Sequence, residues 1–534
     1  MDNWYRTDSK RDTARPLISA GNTRSGRAGQ VALVGLLLLG VCQRADAADR
    51  PQWGQAWTRN MASTERGLPE TFDPQTGRNI RWIAPLGTET HATPVVAGGR
   101  VFVGTNNGRP RDPRHKGDRG ILLCLDEATG ALLWQLVVPK LTNSIYWDWP
   151  NAGICSPPTV ENDRVYLVSN RGEVLCLDAR GMANGNDGPY REEAQHAVPP
   201  GTPAIEPAAT DADILWLFDL VRELGVRQHD SAHASVLIHG DFLYVNTSNG
   251  VDDSHTQIHA PEAPSLVVLH KTTGRLVARD AERIGPDIFH STWSAPALGL
   301  VAGRPAVLFC GGNGVVYGFE PITTAPPAGD VARLKKLWQW DFDPAAPKQD
   351  IHSYLRNRQV SPSNMHGMPV WADGRLYVAG GGDLWWGKNQ AWLKCVATDA
   401  RDAETAAQAW AYSLERHVMV TPAVTDGMVF VADCGGRLHC VEAATGRAFW
   451  THEAGAEVWA SPLVADHKVW FATRRGEVFV FAAAREKRLL HQVALGSAIS
   501  SSPVAANGTL FLASMKQLFA VAEGAQLARA ESSN

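Results

Sequence analysis

Short runs of alternating β-branched, aromatic and small apolar residues follow one another along most of the chain, and Gly, Asn and Asp interrupt them. Residues 429–450, VFVADCGGRLHCVEAATGRAFW, show the pattern in full. Two apolar runs are separated by Gly-Gly, a Thr-Gly turn follows, and a tryptophan comes at the end. Period-two alternation bounded by turn-forming residues predicts short antiparallel strands. The same order returns 40 residues later as VWFATRRGEVFVFAAAREKRLL and occurs earlier as VYLVSNRGEVLCLDARG.

A small residue, usually followed by Pro, opens each unit. The eight openings are Thr93-Pro94, Ser156-Pro157, Ala234-Ser235, Ala295-Pro296, Met368-Pro369, Thr421-Pro422, Ser461-Pro462 and Ser502-Pro503. The last intervals approach the ~40–45 residues of a four-stranded propeller blade. Strand A follows the Pro, a Gly/Asn/Asp turn leads to strand B, a Gly turn to strand C, and a Thr-Gly turn to strand D. The expected fold is all-β, an eight-bladed propeller of four-stranded antiparallel blades spanning residues 48–526. Trp134, Trp338, Trp410 and Trp450 end strand D and are expected to pack between blades, whereas units 2, 3 and 7 lack a clear copy. The eighth unit lacks its own strand D. RNIRWIAPL (78–86), with Trp82, has the look of that strand and is expected to complete the last blade, which would remove the open edges of the array.

Composition changes the picture at the N-terminus. Scattered basic residues precede VALVGLLLLGVC (31–42), too short to span a bilayer, and Ala45-Asp46-Ala47 has the small residues of an A-x-A cleavage site. Residues 1–47 therefore read as a signal peptide. Val41 before Cys42 is a poor match to a lipoprotein signal, and residues 527–534 read as a disordered tail. Cleavage would remove seven basic and four acidic residues, shifting the formal charge from −4 to −7. An acidic mature chain argues against nucleic acid as a partner. No other long apolar run offers a transmembrane segment. Eight cysteines become seven, an odd and dispersed set that makes no disulfide framework. Cys124, Cys176, Cys395 and Cys440 occupy equivalent positions, as buried small side chains do, and the spacing allows Cys434 and Cys440 to pair across one hairpin. There is no C-x-x-C-H haem site.

The units, GRLHCVEAATGRAFW and GILLCLDEATGALLW above all, resemble the repeats of the pyrroloquinoline quinone (PQQ) type propellers. That family includes eight-bladed quinoprotein alcohol dehydrogenases and non-enzymatic proteins such as BamB. For a dehydrogenase the resemblance implies PQQ and calcium as cofactors, an adjacent Cys-Cys pair, a Glu and an Asn on calcium, a Trp floor and a catalytic Asp. The chain has no Cys-Cys. YVNTSNG (244–250) is similar to the segment carrying the calcium-binding Asn, which maps to Asn249, with Asp252 or Asp253 nearby.

In an antiparallel blade the B–C and D–A connections share one face of the disc, and the long segments 105–120, 138–153, 247–264, 342–367 and 380–390 all fall there. They are rich in Trp, His, Arg, Asn and Asp, so the site is expected on that face. Strand A should line the channel with alternate residues. Counting back from the openings gives a small ring, then one with His91, Trp293, His366 and Trp459, then one with Glu89, Asp230, Asn364, His417 and Glu457. Such a funnel reads either as a ligand pocket or as a solvated channel. His229, His233, Asn249, Asp252, Asp253 and His255 are the metal candidates. Imidazole suits a transition metal and the oxygens suit calcium. In LWWGK, Trp385 and Trp386 offer a stacking floor beside Asp383 and Lys388, or simply bury to anchor the loop. Asp253 and Asp383 are the candidate catalytic residues, and Arg356 and Arg358 the candidate carboxylate or phosphate clamp. The expected function is an exported, periplasmic or extracellular and possibly envelope-associated propeller binding a small molecule or protein partner on its loop-rich face. A PQQ- and calcium-dependent quinoprotein dehydrogenase acting on an alcohol or sugar is the alternative.

Overall fold

The computed structural model describes residues 48–398 and 408–527. The proposed leader at 1–47, and the tail after Leu527, lie outside the described residues. The fold is an eight-bladed propeller of four-stranded antiparallel sheets. Each inner strand begins within three residues of one of the eight openings, from Val95–Ala97 in blade 1 to Val504–Ala506 in blade 8. In the eighth blade Arg78–Pro85 pairs antiparallel with Gln517–Gln526, so that blade draws on both ends of the described chain. Blade 3 adds a short parallel strand, Ala332–Arg333, and blade 5 a bridge from Ser363–Asn364.

Five of the strand D tryptophans pack with the indole N–H on a carbonyl of the next blade, whereas Trp338 of blade 4 is equally buried but its indole N–H has no partner. Trp82, Trp134, Trp216, Trp410 and Trp450 donate to the carbonyls of Glu127, Ala179, Lys271, Ala443 and Ala484 at 2.9–3.0 Å. Trp216 shows that unit 2 does carry the copy; an insertion after Asp178 hides it in the sequence by delaying strand D to Ile214–Asp219. Cys124, Cys176, Cys395 and Cys440 lie directly across from Trp134, Trp216, Trp410 and Trp450, and each pair is followed by a register shift. A small side chain opposite the indole leaves room for the ring, and a bulge at that point increases local twist. Cys434 and Cys440 are both free and buried, so the suggested hairpin disulfide is absent. Gly274 and Gly446 sit flat against the Trp216 and Trp410 rings with φ of +68° and +76°; a Cβ there would come within 2.5 and 2.7 Å of the indoles.

A segment with no place in the repeat crosses the inner strands of all eight blades. Arg50 exchanges backbone hydrogen bonds with Val96 of blade 1, and the Pro51 carbonyl accepts from Val160 of blade 2. The Trp57 and Thr58 carbonyls accept from Leu298 and Trp371 of blades 4 and 5. The Asn60 amide pairs with Val424 of blade 6, Met61 and Ser63 bracket Val464 of blade 7, and Glu65 accepts from Gly508 of blade 8. Arg59, 0 % exposed, spans the remaining pair: its guanidinium donates to Pro296 in blade 4 and to the Ser235 and Val236 carbonyls in blade 3 at 2.9–3.3 Å. Burial pulls its pKa down to about 9. On the opposite face, Glu173 of blade 2 pins the long C–D insertion by accepting from His196 at 3.1 Å and from Ser169 at 2.8 Å.

Arg59→Ala would strand several buried acceptors, each worth about 1–3 kcal/mol. Chemical denaturation should show a loss of at least about 3 kcal/mol, with the native far-UV spectrum retained until unfolding. Gly446→Ala, which places a methyl against Trp410, should cost at least about 1 kcal/mol by the same measurement, and a neutral result would contradict the packing described. Burial opposes ionisation of Glu173, but the neighbouring His196 and Arg171 outweigh it and hold the carboxyl at about 2 against an ordinary 4.5. Its contribution is therefore present above pH 4.5 and lost as pH falls towards 2. Glu173→Gln should flatten the stability–pH curve across that window.

Candidate functional site

All eight D–A connections converge on one cavity of about 470 Å³, joined by B–C loops from blades 3, 5 and 7. Trp53, from the crossing segment, reaches into the channel and supplies the base. Aromatic rings dominate the wall: Tyr146, Trp149, Trp293, Trp385, Trp386 and Trp459. Among the strand-phase expectations His91, Trp293, His366, Trp459, Glu89 and Asp230 do line it. Cys155 also faces it, but burial raises that thiol to about 12, which leaves it an inert wall group.

Asp383 organises one side. It is 0 % exposed; one oxygen accepts from His290 Nδ1 at 2.9 Å and His366 Nε2 at 3.2 Å, the other from the backbone N–H groups of Trp385 and Trp386 at 3.0 and 2.9 Å. Burial disfavours its charge, yet His290 and His366 outweigh that and hold the carboxyl well below the usual range. A carboxylate so committed positions imidazoles and indoles instead of acting as the base expected from sequence. The Trp385–Trp386 pair is thereby held at the cavity wall, with Trp385 edge-on to Trp293 at 5.9 Å.

Beside this hub three imidazoles meet. His229 Nε2 and His255 Nε2 are 3.1 Å apart, and one nitrogen from each of His229, His255 and His290 lies within a 4.8 Å group. Asp230 Oδ2 is 3.8 Å from His229 Nε2 and 3.9 Å from His290 Nε2. Tyr146 stacks on His229 with an interplanar angle of 6°. Burial, reinforced by His290 and His255, pushes His229 down to about 2, so that ring is neutral. Burial also lowers His255 and raises Asp230 to about 6. Across the cavity Glu89 pairs with His91 at 3.5 Å, and the Arg474 guanidinium lies 4.1 Å above Trp459.

Several expected site residues are engaged elsewhere. Arg358 donates to the carbonyls of Leu384, Trp385 and Gly387, and the Arg356 guanidinium lies 5.0 Å over the Trp386 ring. They brace the Trp loop and make no anion clamp facing the cavity. Lys388 is buried in an ion pair with Asp343, and Asn364 donates to the Ser291 carbonyl. His417 is buried behind the wall and Glu457 is exposed beyond it. Neither lines the cavity. Among the metal candidates, His233 lines the cavity but its Nε2 is taken by the Asp230 carbonyl at 2.8 Å. Asn249 spends its amide on Arg227 N and the Ala260 carbonyl. Asp252 accepts from Ser254 and Asp253 from Ser144. His290 escaped the sequence reading because it falls between Ser291 and Phe289, out of phase with the alternate-residue count. Its one sequence signal was proximity to Trp293.

A family model described as outer membrane protein assembly factor BamB matches residues 65–317 and 396–532, well over half of the chain. Among solved structures, BamB from Moraxella catarrhalis is similar with 13% identity over 84% of this chain and 99% of that one, at a TM-score of 0.50. The computationally designed Ika8 protein follows at 11% identity, covering 86% and 99%, with a TM-score of 0.47. Quinohemoprotein alcohol dehydrogenase from Comamonas testosteroni has 13% identity, 91% and 83% coverage, and a TM-score of 0.45. No curated protein matches the chain significantly. With eight blades, indole docking between them and this match, the chain belongs to the PQQ-type propeller family described as outer membrane protein assembly factor BamB.

Proposed function

We propose that this chain is an exported, envelope-associated propeller that binds a small, ring-containing polar molecule of saccharide type in the cavity of its loop-rich face. The observation that carries the reading is the cavity itself. Its volume of about 470 Å³ falls within the ~300–1,000 Å³ of ligand pockets. Indole faces suit the apolar face of a sugar ring, while Glu89, His91, Arg474 and Asp230 offer acceptors and donors to its hydroxyl edge. The apolar run at 31–42 and the family match support export, and no helix among the described residues is long and apolar enough to cross a membrane.

The quinone and calcium of the dehydrogenases do not fit the residues present. The Asn249 amide, the candidate calcium ligand, is tied to backbone groups through both its oxygen and its nitrogen, and the nearby convergent group is made of imidazole nitrogens, whereas calcium takes oxygen. The two residues that would cap a quinone as a cysteine pair have no counterpart in the sequence.

Intrinsic tryptophan fluorescence of the purified chain, titrated with a panel of neutral mono- and disaccharides, tests the reading. At least one member should give a saturable change, weakened at least about tenfold by Trp385→Ala or Trp293→Ala, a loss of about 1.4 kcal/mol. A panel without saturable response, or one indifferent to both variants, overturns it.

A further inference from the structure

We propose that His229, His255 and His290 form a binding site for a divalent first-row transition-metal ion, zinc above all, whose fourth position opens to the cavity beside Asp230. The site lies beyond the saccharide reading and does not depend on it, because its donors are complete without an organic ligand.

The tautomers point inward. His229 Nδ1 lies 2.9 Å from the Val251 carbonyl, which can only accept, so the proton sits on Nδ1 and the Nε2 lone pair points at His255, into the group. His290 Nδ1 likewise donates to Asp383, and its Nε2 is buried without a hydrogen-bond partner. A metal-bound histidine whose other nitrogen donates to a carboxylate or a backbone carbonyl is the usual outer arrangement of imidazole sites. His255 Nε2 donates to His229 Nε2 in the metal-free protein; binding would move that proton to Nδ1.

Spacing agrees. Tetrahedral donors about 2.0–2.1 Å from one zinc ion sit about 3.3 Å apart; His229 and His255 are 3.1 Å apart and all three imidazole nitrogens lie within 4.8 Å of one another, so small side-chain rotations close the set around an ion. Three nitrogens with one open position is the arrangement of reactive zinc sites, and imidazole is a ligand zinc shares with copper, nickel and iron. Asp230 Oδ1, buried and without a partner, is placed to accept a hydrogen bond from a water or ligand hydroxyl at that position.

The backbone is held in unfavourable conformations at the same spot. Asp230, Ser231 and His255 have φ of +56°, +75° and +59°. Left-handed non-glycine residues cost of order 1 kcal/mol or more each and gather at functional sites. Here they turn Asp230 and His255 towards the same point.

The test is a cobalt(II) titration of the chelator-treated full chain, followed by visible d–d absorption, with zinc added in competition. One equivalent should give an intense tetrahedral band that zinc abolishes. His255→Gln should weaken binding at least 100-fold, and Asp383→Asn, which leaves all three imidazoles in place but perturbs the carboxylate that orients His290, by about 10–100-fold. His115→Gln, in the separate Asp112–His115–Asp211 cluster, should change nothing. Circular dichroism confirms that each variant is folded. Absence of a stoichiometric band in the wild-type chain overturns the site, as does binding that survives His255→Gln or disappears with His115→Gln. Failure of the saccharide titration leaves these outcomes unaffected.

Discussion

Eight inner strands meeting around an axis leave eight edges whose N–H and C=O groups have no neighbouring strand. In this chain one peptide segment, residues 48–65, hydrogen-bonds to every blade. Its central contact is the buried Arg59 guanidinium, whose rigid fork of five donors serves carbonyls from two blades at once. A channel closed in this way ends in a base at Trp53, and a closed channel with loops at its mouth becomes a pocket.

Above that base Asp383 plays a comparable part on a smaller scale. One carboxylate fixes two imidazoles and the turn that presents two indoles, so its burial is matched by four hydrogen bonds. Arg356, Arg358 and the Lys388–Asp343 pair hold the same loop from outside. Charged residues that looked like ligand contacts are thus the support of aromatic ones. The chemistry facing the cavity is consequently richer in rings and imidazoles than in free charge.

The blade grammar was legible because it is local. Alternation, turn residues and the recurring Trp report the packing of one strand against its neighbours, and those rules repeat in every unit. Trp216 was missed only because an insertion displaced it. Alternation also identified the ring nearest the strands: His91, Trp293, His366 and Trp459 line the cavity. One step further out the phase is lost, since the backbone there is no longer a strand. Glu89 and Asp230 reach the cavity, whereas Asn364, His417 and Glu457 do not.

By itself the sequence determined the all-β repeat, its eight units and the face bearing the polar and aromatic loops, because strand period and turn chemistry act over a few residues. Tertiary structure alone decided which loop residues meet. His229, His255 and His290 lie up to 61 positions apart, and left-handed turns at Asp230 and His255 bring them together. The non-repeating segment that closes the channel was equally invisible, since its partners are backbone groups scattered over eight blades and backbone groups leave no mark in a sequence.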